Sequence, residues 1–204
     1  MMQNHASCAT RHMKRLVILI SGNGGNLQAV MDACAKGALP ACVAGVLSNR
    51  PDAFGLQRAI KADVPAIALP FHKALHGSRA GYDVLLAGLV ALFQPDLVVC
   101  AGWMRILSPA FLQRFPRQII NLHPALPGMF AGAHGIEEGF VAFQRGQITH
   151  TGAMVHYVDE GVDTGPAILT VDVPIYPHDT LADLEARMHE AEHQLIVDAI
   201  KRVL

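Results

Sequence analysis

Apolar residues in this chain come in short continuous runs that alternate with stretches of helical periodicity. Residues 16–20 (Leu, Val, Ile, Leu, Ile) are unbroken and rich in β-branched side chains, which suits a strand covered on both faces of a parallel sheet. The run enters Ser21-Gly22-Asn23-Gly24-Gly25-Asn26, after which Leu27, Val30, Met31 and Cys34 recur at i, i+3, i+4 and i+7. That spacing predicts a helix, with Asn26 as its N-cap and Gly37 just past its end. Further strands are predicted at 42–47, 65–69, 95–101 and 118–123, with helices near 52–62, over 82–93 and from Ser108-Pro109 onward. The 82–93 helix is apolar on most sides and is expected to lie sandwiched between layers. Past Pro124 the rhythm changes. A glycine-rich stretch at 132–139 leads into a helix ending near Gly146, and two strands at 151–158 and 166–173 form a hairpin. A last helix, capped by Asp179 or Thr180, carries Leu184, Met188, Leu195 and Ile196 as an apolar stripe toward Val203. The fold class is therefore α/β: a Rossmann-like open, mostly parallel sheet with helices on both faces and a C-terminal antiparallel hairpin.

Length and charge narrow the partners. The 204 residues fit one domain over 13–204, while residues 1–12 are polar, lack an apolar signal core and are expected to be a leader or a cloning remnant. With 16 Lys plus Arg against 17 Asp plus Glu, the formal charge of −1 gives no field for nucleic acid or an anionic membrane. Although 51% of residues are hydrophobic, the longest apolar run, 84–93, falls far short of the roughly 20 residues that span a bilayer. The four cysteines, at 8, 34, 42 and 100, form no CxxC pair and read as reduced, mostly buried thiols. The expected partners are small molecules, with no nucleic acid and no membrane.

The strand at 118–123 ends in Asn121, His123 and Pro124. Residues two apart on a strand share a face, so an amide and an imidazole project together from its carboxyl end. Pro124 keeps His123 extended. Asp163 lies in Asp159-Glu160-Gly161-Val162-Asp163-Thr164-Gly165-Pro166, a turn-rich segment that presents a carboxylate at a loop tip. Each residue alone has a bland explanation: a histidine bonding backbone, an amide satisfying a loop, a turn aspartate. Together, at the end of an α/β sheet where ligands bind, they favour chemistry on a polar acyl group. The glycines at 22, 24 and 25 let backbone N–H groups turn inward at a helix's positive end, which suits one monophosphate; a merely tight turn is the alternative. A dinucleotide fits less well, because Leu27 stands where a third glycine would and Ser48-Asn49-Arg50 offers no ribose carboxylate; Arg50 leaves a second phosphate open. His134, His150 and His156 lack the spacing of a ligand set, so no metal is expected.

Several ordered motifs carry a resemblance: Ser21 to Gln28 (Ser-Gly-Asn-Gly-Gly-Asn-Leu-Gln), Ser48-Asn49-Arg50, Trp103-Met104-Arg105-Ile106-Leu107-Ser108-Pro109, Asn121-Leu122-His123-Pro124, and Val155-His156-Tyr157-Val158 with Val162-Asp163. Over about residues 14–200 the chain resembles the glycinamide ribonucleotide formyltransferases. The resemblance implies formyl transfer from 10-formyltetrahydrofolate to the amine of 5-phosphoribosylglycinamide in purine synthesis, in the cytoplasm, by an enzyme compatible with a homodimer. It implies that Gly24, Gly25 and Asn26 clamp the substrate phosphate and that Pro124 and Glu192 help to hold the ribonucleotide. Arg79, Met104, Arg105, Ile106 and Leu107 match folate-contacting positions, and Asn121 faces the formyl group. His123 would be the general acid, aided by Asn121 as a donor to the formyl oxygen and by Asp163, whose charge would raise the histidine pKa. His134 and His156 also stand where the family carries histidine. Two departures are visible: Gly25 replaces a common serine, and Ala125-Leu126-Pro127-Gly128 replaces Ser-Leu-Leu-Pro. Methionyl-tRNA formyltransferase and formyltetrahydrofolate deformylase share the Asn-x-His-Pro core, but their usual extra domains are not expected in 204 residues. A non-catalytic nucleotide-binding module that uses only the glycine loop is the rival from another class.

Overall fold

The computed structural model describes residues 13–204, so the expected leader or remnant at 1–12 lies outside the described residues. The predicted alternation is present throughout. In chain order the elements are β1 (Lys14–Ile20), α1 (Gly25–Ala35), β2 (Ala41–Ser48), α2 (Phe54–Lys61), β3 (Ala66–Ala68), α3 (Lys73–His76), α4 (Arg79–Leu92), β4 (Leu97–Cys100), α5 (Pro109–Leu112), β5 (Ile119–His123), α6 (Gly135–Gln144), β6 (His150–Tyr157), β7 (Ala167–Pro174) and α7 (Leu181–Val203). The strands form one seven-stranded sheet in the order β3-β2-β1-β4-β5-β6-β7. Strands β1 to β5 pair in parallel, and β6 and β7 run antiparallel.

Alternation along β1 shows why the apolar runs are continuous. Leu16, Ile18 and Ile20 face a core built with α1, α2 and α7, whereas Val17 and Leu19 face a second core with Tyr82, Leu86 and Val90 of α4 and Phe111 of α5. All five strand residues are fully buried, so the helices on both faces leave no polar side for a pattern of alternation to mark.

Two local expectations are corrected. The first helix starts at Gly25, not after Asn26, because Gly24 takes the cap position in the left-handed region at φ 78°. A side chain at Gly24 would bring its Cβ within 2.7 Å of the Gly55 Cα on α2, so close backbone approach as well as conformation demands glycine. Helix α4 is not sandwiched: Tyr82, Leu86 and Val90 are buried, but Val84, Leu85 and Leu92 are exposed. Cys34 and Cys100 carry free thiols, Cys100 buried. Gly37, at φ 72°, ends α1 as predicted, and Thr180 with Asp183 forms a reciprocal capping box on α7. Among the described residues no helix is long and apolar enough to cross a membrane.

Candidate active site

The carboxyl end of β5 lies between β4 and β6, with Asn121 paired in register to Cys100 on one side and His156 on the other. This pairing brings a histidine of little weight in the sequence to the centre of the site. The carboxylate arrives from the loop between β6 and β7, where Asp163 adopts a left-handed φ of 54°. Its Oδ1 accepts from Asn121 Nδ2 at 3.1 Å, and its Oδ2 accepts from the Gly132 N–H at 2.9 Å. His123 Nδ1 stands 3.4 Å from Oδ2, and His156 Nε2 stands 3.4 Å from Oδ1. Both imidazoles are 2% exposed, so one half-buried carboxylate serves two buried rings.

Donor and acceptor logic fixes most of the hydrogens. The Phe130 carbonyl can only accept, so His123 Nε2, 3.0 Å away, carries a hydrogen and donates it there. By the same reasoning His156 Nδ1 donates to the Tyr157 carbonyl at 2.9 Å. In the neutral ring His156 Nε2 then holds a lone pair and accepts from Asn121 Nδ2 at 3.2 Å. Asp163 and His156 between them take both hydrogens of the Asn121 amide.

Electrostatics run against one expectation. Burial lowers the His123 pKa, and His156 lowers it further; Asp163 and the carbonyls of Phe130 and Met129 raise it but do not prevail, so the net shift is downward. The sequence reading had the sign of the Asp163 contribution right and missed the desolvation that outweighs it. Burial would raise Asp163 itself, but the close approach of His156, the hydrogen bond from the Gly132 amide and the nearby His123 ring hold its carboxyl below the ordinary value. Asp163 is therefore ionised at neutral pH.

These groups open onto a cavity of about 320 Å³ lined also by Pro124, Trp103, Met104, Ile106 and Val162. The whole segment expected at the folate contributes to it, Arg105 and Leu107 included. Met104 and Ile106 are 61% and 48% exposed, so they form a cavity wall and not core. The Arg105 guanidinium lies 5.0 Å from the Phe71 ring and 5.1 Å from Tyr82. Arg79 does not line the cavity; it donates to the Ile106 carbonyl and holds the wall in place. Two further supports were not singled out in the sequence. Ser21 Oγ accepts from the Met104 N–H at 2.8 Å and donates to Asn49 Oδ1 at 2.6 Å, tying the ends of β1 and β2 to the wall. Asp83, 2% exposed on α4, accepts from the Ser108 N–H at 2.7 Å. A serine after a strand and a polar residue on an apolar helix face were the only signals available.

The glycine loop forms a separate locus, and Gly24, Gly25, Asn26 and Glu192 do not line the cavity. Arg58 of α2 latches the loop by donating to the Asn23 carbonyl and to Asn23 Oδ1, each at 2.9 Å. Helix α1 has no capping side chain and no acidic residue in its first turn, so its positive end is uncompensated. Asn26 Nδ2 donates to Glu192 Oε2 at 3.0 Å, leaving Asn26 Oδ1 enclosed without a partner. Glu192 is 5% exposed, and burial pushes its pKa up against the hydrogen bond from Asn26. His134 is exposed, its side chain at 73%, and lies 3.7 Å from Glu137.

The chain is similar to known proteins in both sequence and fold. The sequence profile described as Formyl transferase matches residues 14–200. The phosphoribosylglycinamide formyltransferase of Schizosaccharomyces pombe is 50% identical over 200 residues, covering 93% of this chain and 96% of that protein. The Escherichia coli phosphoribosylglycinamide formyltransferase is 40% identical over 180 residues, covering 88% of this chain and 82% of its own length. Among solved structures, phosphoribosylglycinamide formyltransferase from Bacillus halodurans superposes with a TM-score of 0.87 at 34% identity, covering 94% of this chain and 95% of the other. With its sheet topology, its strand-end site and these relatives in agreement, the chain belongs to the formyl transferase family, among the phosphoribosylglycinamide formyltransferases.

Proposed function

We propose that this enzyme transfers the formyl group of 10-formyltetrahydrofolate to the amine of 5-phosphoribosylglycinamide in the cytoplasm. The observation that carries this reading is the convergence of Asn121, His123 and Asp163 on a cavity walled by Met104, Arg105, Ile106 and Leu107. A flat folate ring matches a wall of apolar side chains and backbone polar groups. The ribonucleotide phosphate occupies the N–H groups of Gly24, Gly25 and Asn26, while Glu192 and the unpartnered Asn26 Oδ1 face its ribose. Pro124 borders the glycinamide.

The amine attacks the formyl carbon, negative charge grows on the formyl oxygen, and N10 of the folate leaves with a proton, while the attacking nitrogen gives up one proton in turn, which the His123 imidazole takes back. Protonated His123 supplies the N10 proton as general acid and stabilises the oxyanion, and the ionised Asp163 favours the imidazolium. For this, the Nε2–H now given to Phe130 exchanges its partner for the substrate. Asn121 aids by turning toward the oxyanion one of the hydrogens held by Asp163 and His156. The test is formyl transfer from 10-formyltetrahydrofolate to glycinamide ribonucleotide, followed by absorbance and run beside His123→Ala. Transfer that collapses in the variant is the expected result; loss of the donor without any need for ribonucleotide refutes the assignment in favour of a deformylase.

A further inference from the structure

The first residue of α1 has no side chain, yet the space a side chain would fill is occupied. A Cβ built on Gly25 stands 3.0 Å from Nε2 of His193 and 3.8 Å from its Cε1. The polar edge of that ring, carried on α7, therefore reaches the residue whose N–H heads the anion-binding end of α1. The ring nitrogens make no hydrogen bond or ion pair among the described residues. Position is not accidental: His193 follows Glu192, whose bond to Asn26 fixes the same turn of α7 against the same loop.

We infer that His193 is a substrate-binding residue, supplying from α7 the side-chain hydrogen bond to the substrate phosphate that glycine at position 25 cannot make. The inference rests on the phosphate-loop reading above. An Nε2–H aimed at a phosphate oxygen makes a charge-assisted bond when the ring is protonated. The charged groups acting on the ring are Arg58 from α2 and His189 and Glu190 from α7, while the first turn of α1 brings no acid. Burial, His189 and Arg58 lower the pKa of the empty ring, against a smaller push up from Glu190. A bound phosphate dianion works the other way, so binding draws a proton onto His193 and strengthens as the pH falls toward the ring's titration. Glycine at 25 and histidine at 193 belong together, because any larger residue at 25 would force the ring back by a few tenths of an ångström.

The test is calorimetric binding of ribose 5-phosphate to wild type, His193→Ala and the double variant Gly25→Ser with His193→Ala. Hydrogen bonds to charged groups contribute about 1.5–3 kcal/mol, so His193→Ala is expected to bind about 10- to 100-fold more weakly. The double variant has room for a hydroxyl beside the phosphate and is expected to recover most of that loss. In turnover, His193→Ala is expected to raise the KM for the ribonucleotide and leave kcat in place. Unchanged binding by His193→Ala overturns the inference. So does a loss that serine cannot restore, since that assigns the residue to packing of α7 on α1. A wild type that binds no ribose 5-phosphate refutes the phosphate-loop reading itself and the inference with it.

Discussion

Replacing Asp163 with asparagine tests the electrostatics of the site at one atom. The substitution keeps a carbonyl oxygen for the Gly132 N–H but removes the charge 3.4 Å from His123 Nδ1. Coulomb's law at that separation, with an effective dielectric constant near 20, sets an upper limit of about 5 kcal/mol. Measured effects of a neighbouring opposite charge are smaller, about one to three pKa units. The sign is fixed: Asp163 raises the His123 pKa, so its loss lowers a value already held down by burial. At pH 7 the protonated fraction of His123, and with it kcat/KM, is expected to fall about 10- to 1,000-fold. The deficit should stay constant while the pH is above the wild-type His123 value and shrink, by about tenfold per unit, only below it, where the wild type is already protonated and acid restores the variant's missing proton. The assay is kcat/KM for formyl transfer at half-unit steps from pH 5 to 8. The wild type should lose activity as pH rises through the lowered His123 value, and the variant should show the same fall displaced to lower pH. Full activity at pH 7, or a uniform loss with an unshifted profile, would refute the reasoning.

Further outcomes follow from the same contacts. His123→Ala removes acid and oxyanion donor together and is expected to cost at least about 100- to 1,000-fold in kcat. Glu192→Gln spares the unliganded enzyme a buried carboxylate: because the folded pKa is raised, stability declines as pH climbs from the unfolded value through the folded one. Thermal melts at pH 8 should therefore show this variant more stable, by about 2–4 °C per kcal/mol at this chain length, while its KM for the ribonucleotide rises. Ser21→Ala cuts the tie between Asn49 and the Met104 N–H and should raise the KM for the folate several-fold with kcat retained, at a stability cost of about 0.5–1.5 kcal/mol in urea.

Much of the fold was legible because parallel strands buried on both faces write themselves as unbroken runs, as at Leu16 to Ile20. Asn121 and His123 were legible for a related reason, since period two on a strand puts them on one side. What the sequence could not convey depends on pairing between distant segments. His156 reaches Asn121 only through the register of β5 with β6. The cap of α1 was misplaced because Gly24 is needed for its approach to Gly55, a contact across α1 and α2 that no local signal records. The direction of the His123 shift depended on burial, which pairwise reasoning about Asp163 leaves out.

The order in which the site's parts lie along the chain bears on how the protein is made. Strands β1 to β5 form the parallel half of the sheet and end at His123, but the carboxylate that serves it comes from beyond β6. A ribosome thus extrudes the imidazole some forty residues before its partner, roughly 2–8 s at ordinary synthesis rates. During that interval the imidazole has no carboxylate to favour its charged form. Docking of the late hairpin then acts as an ignition step, arming the acid only once the sheet is complete.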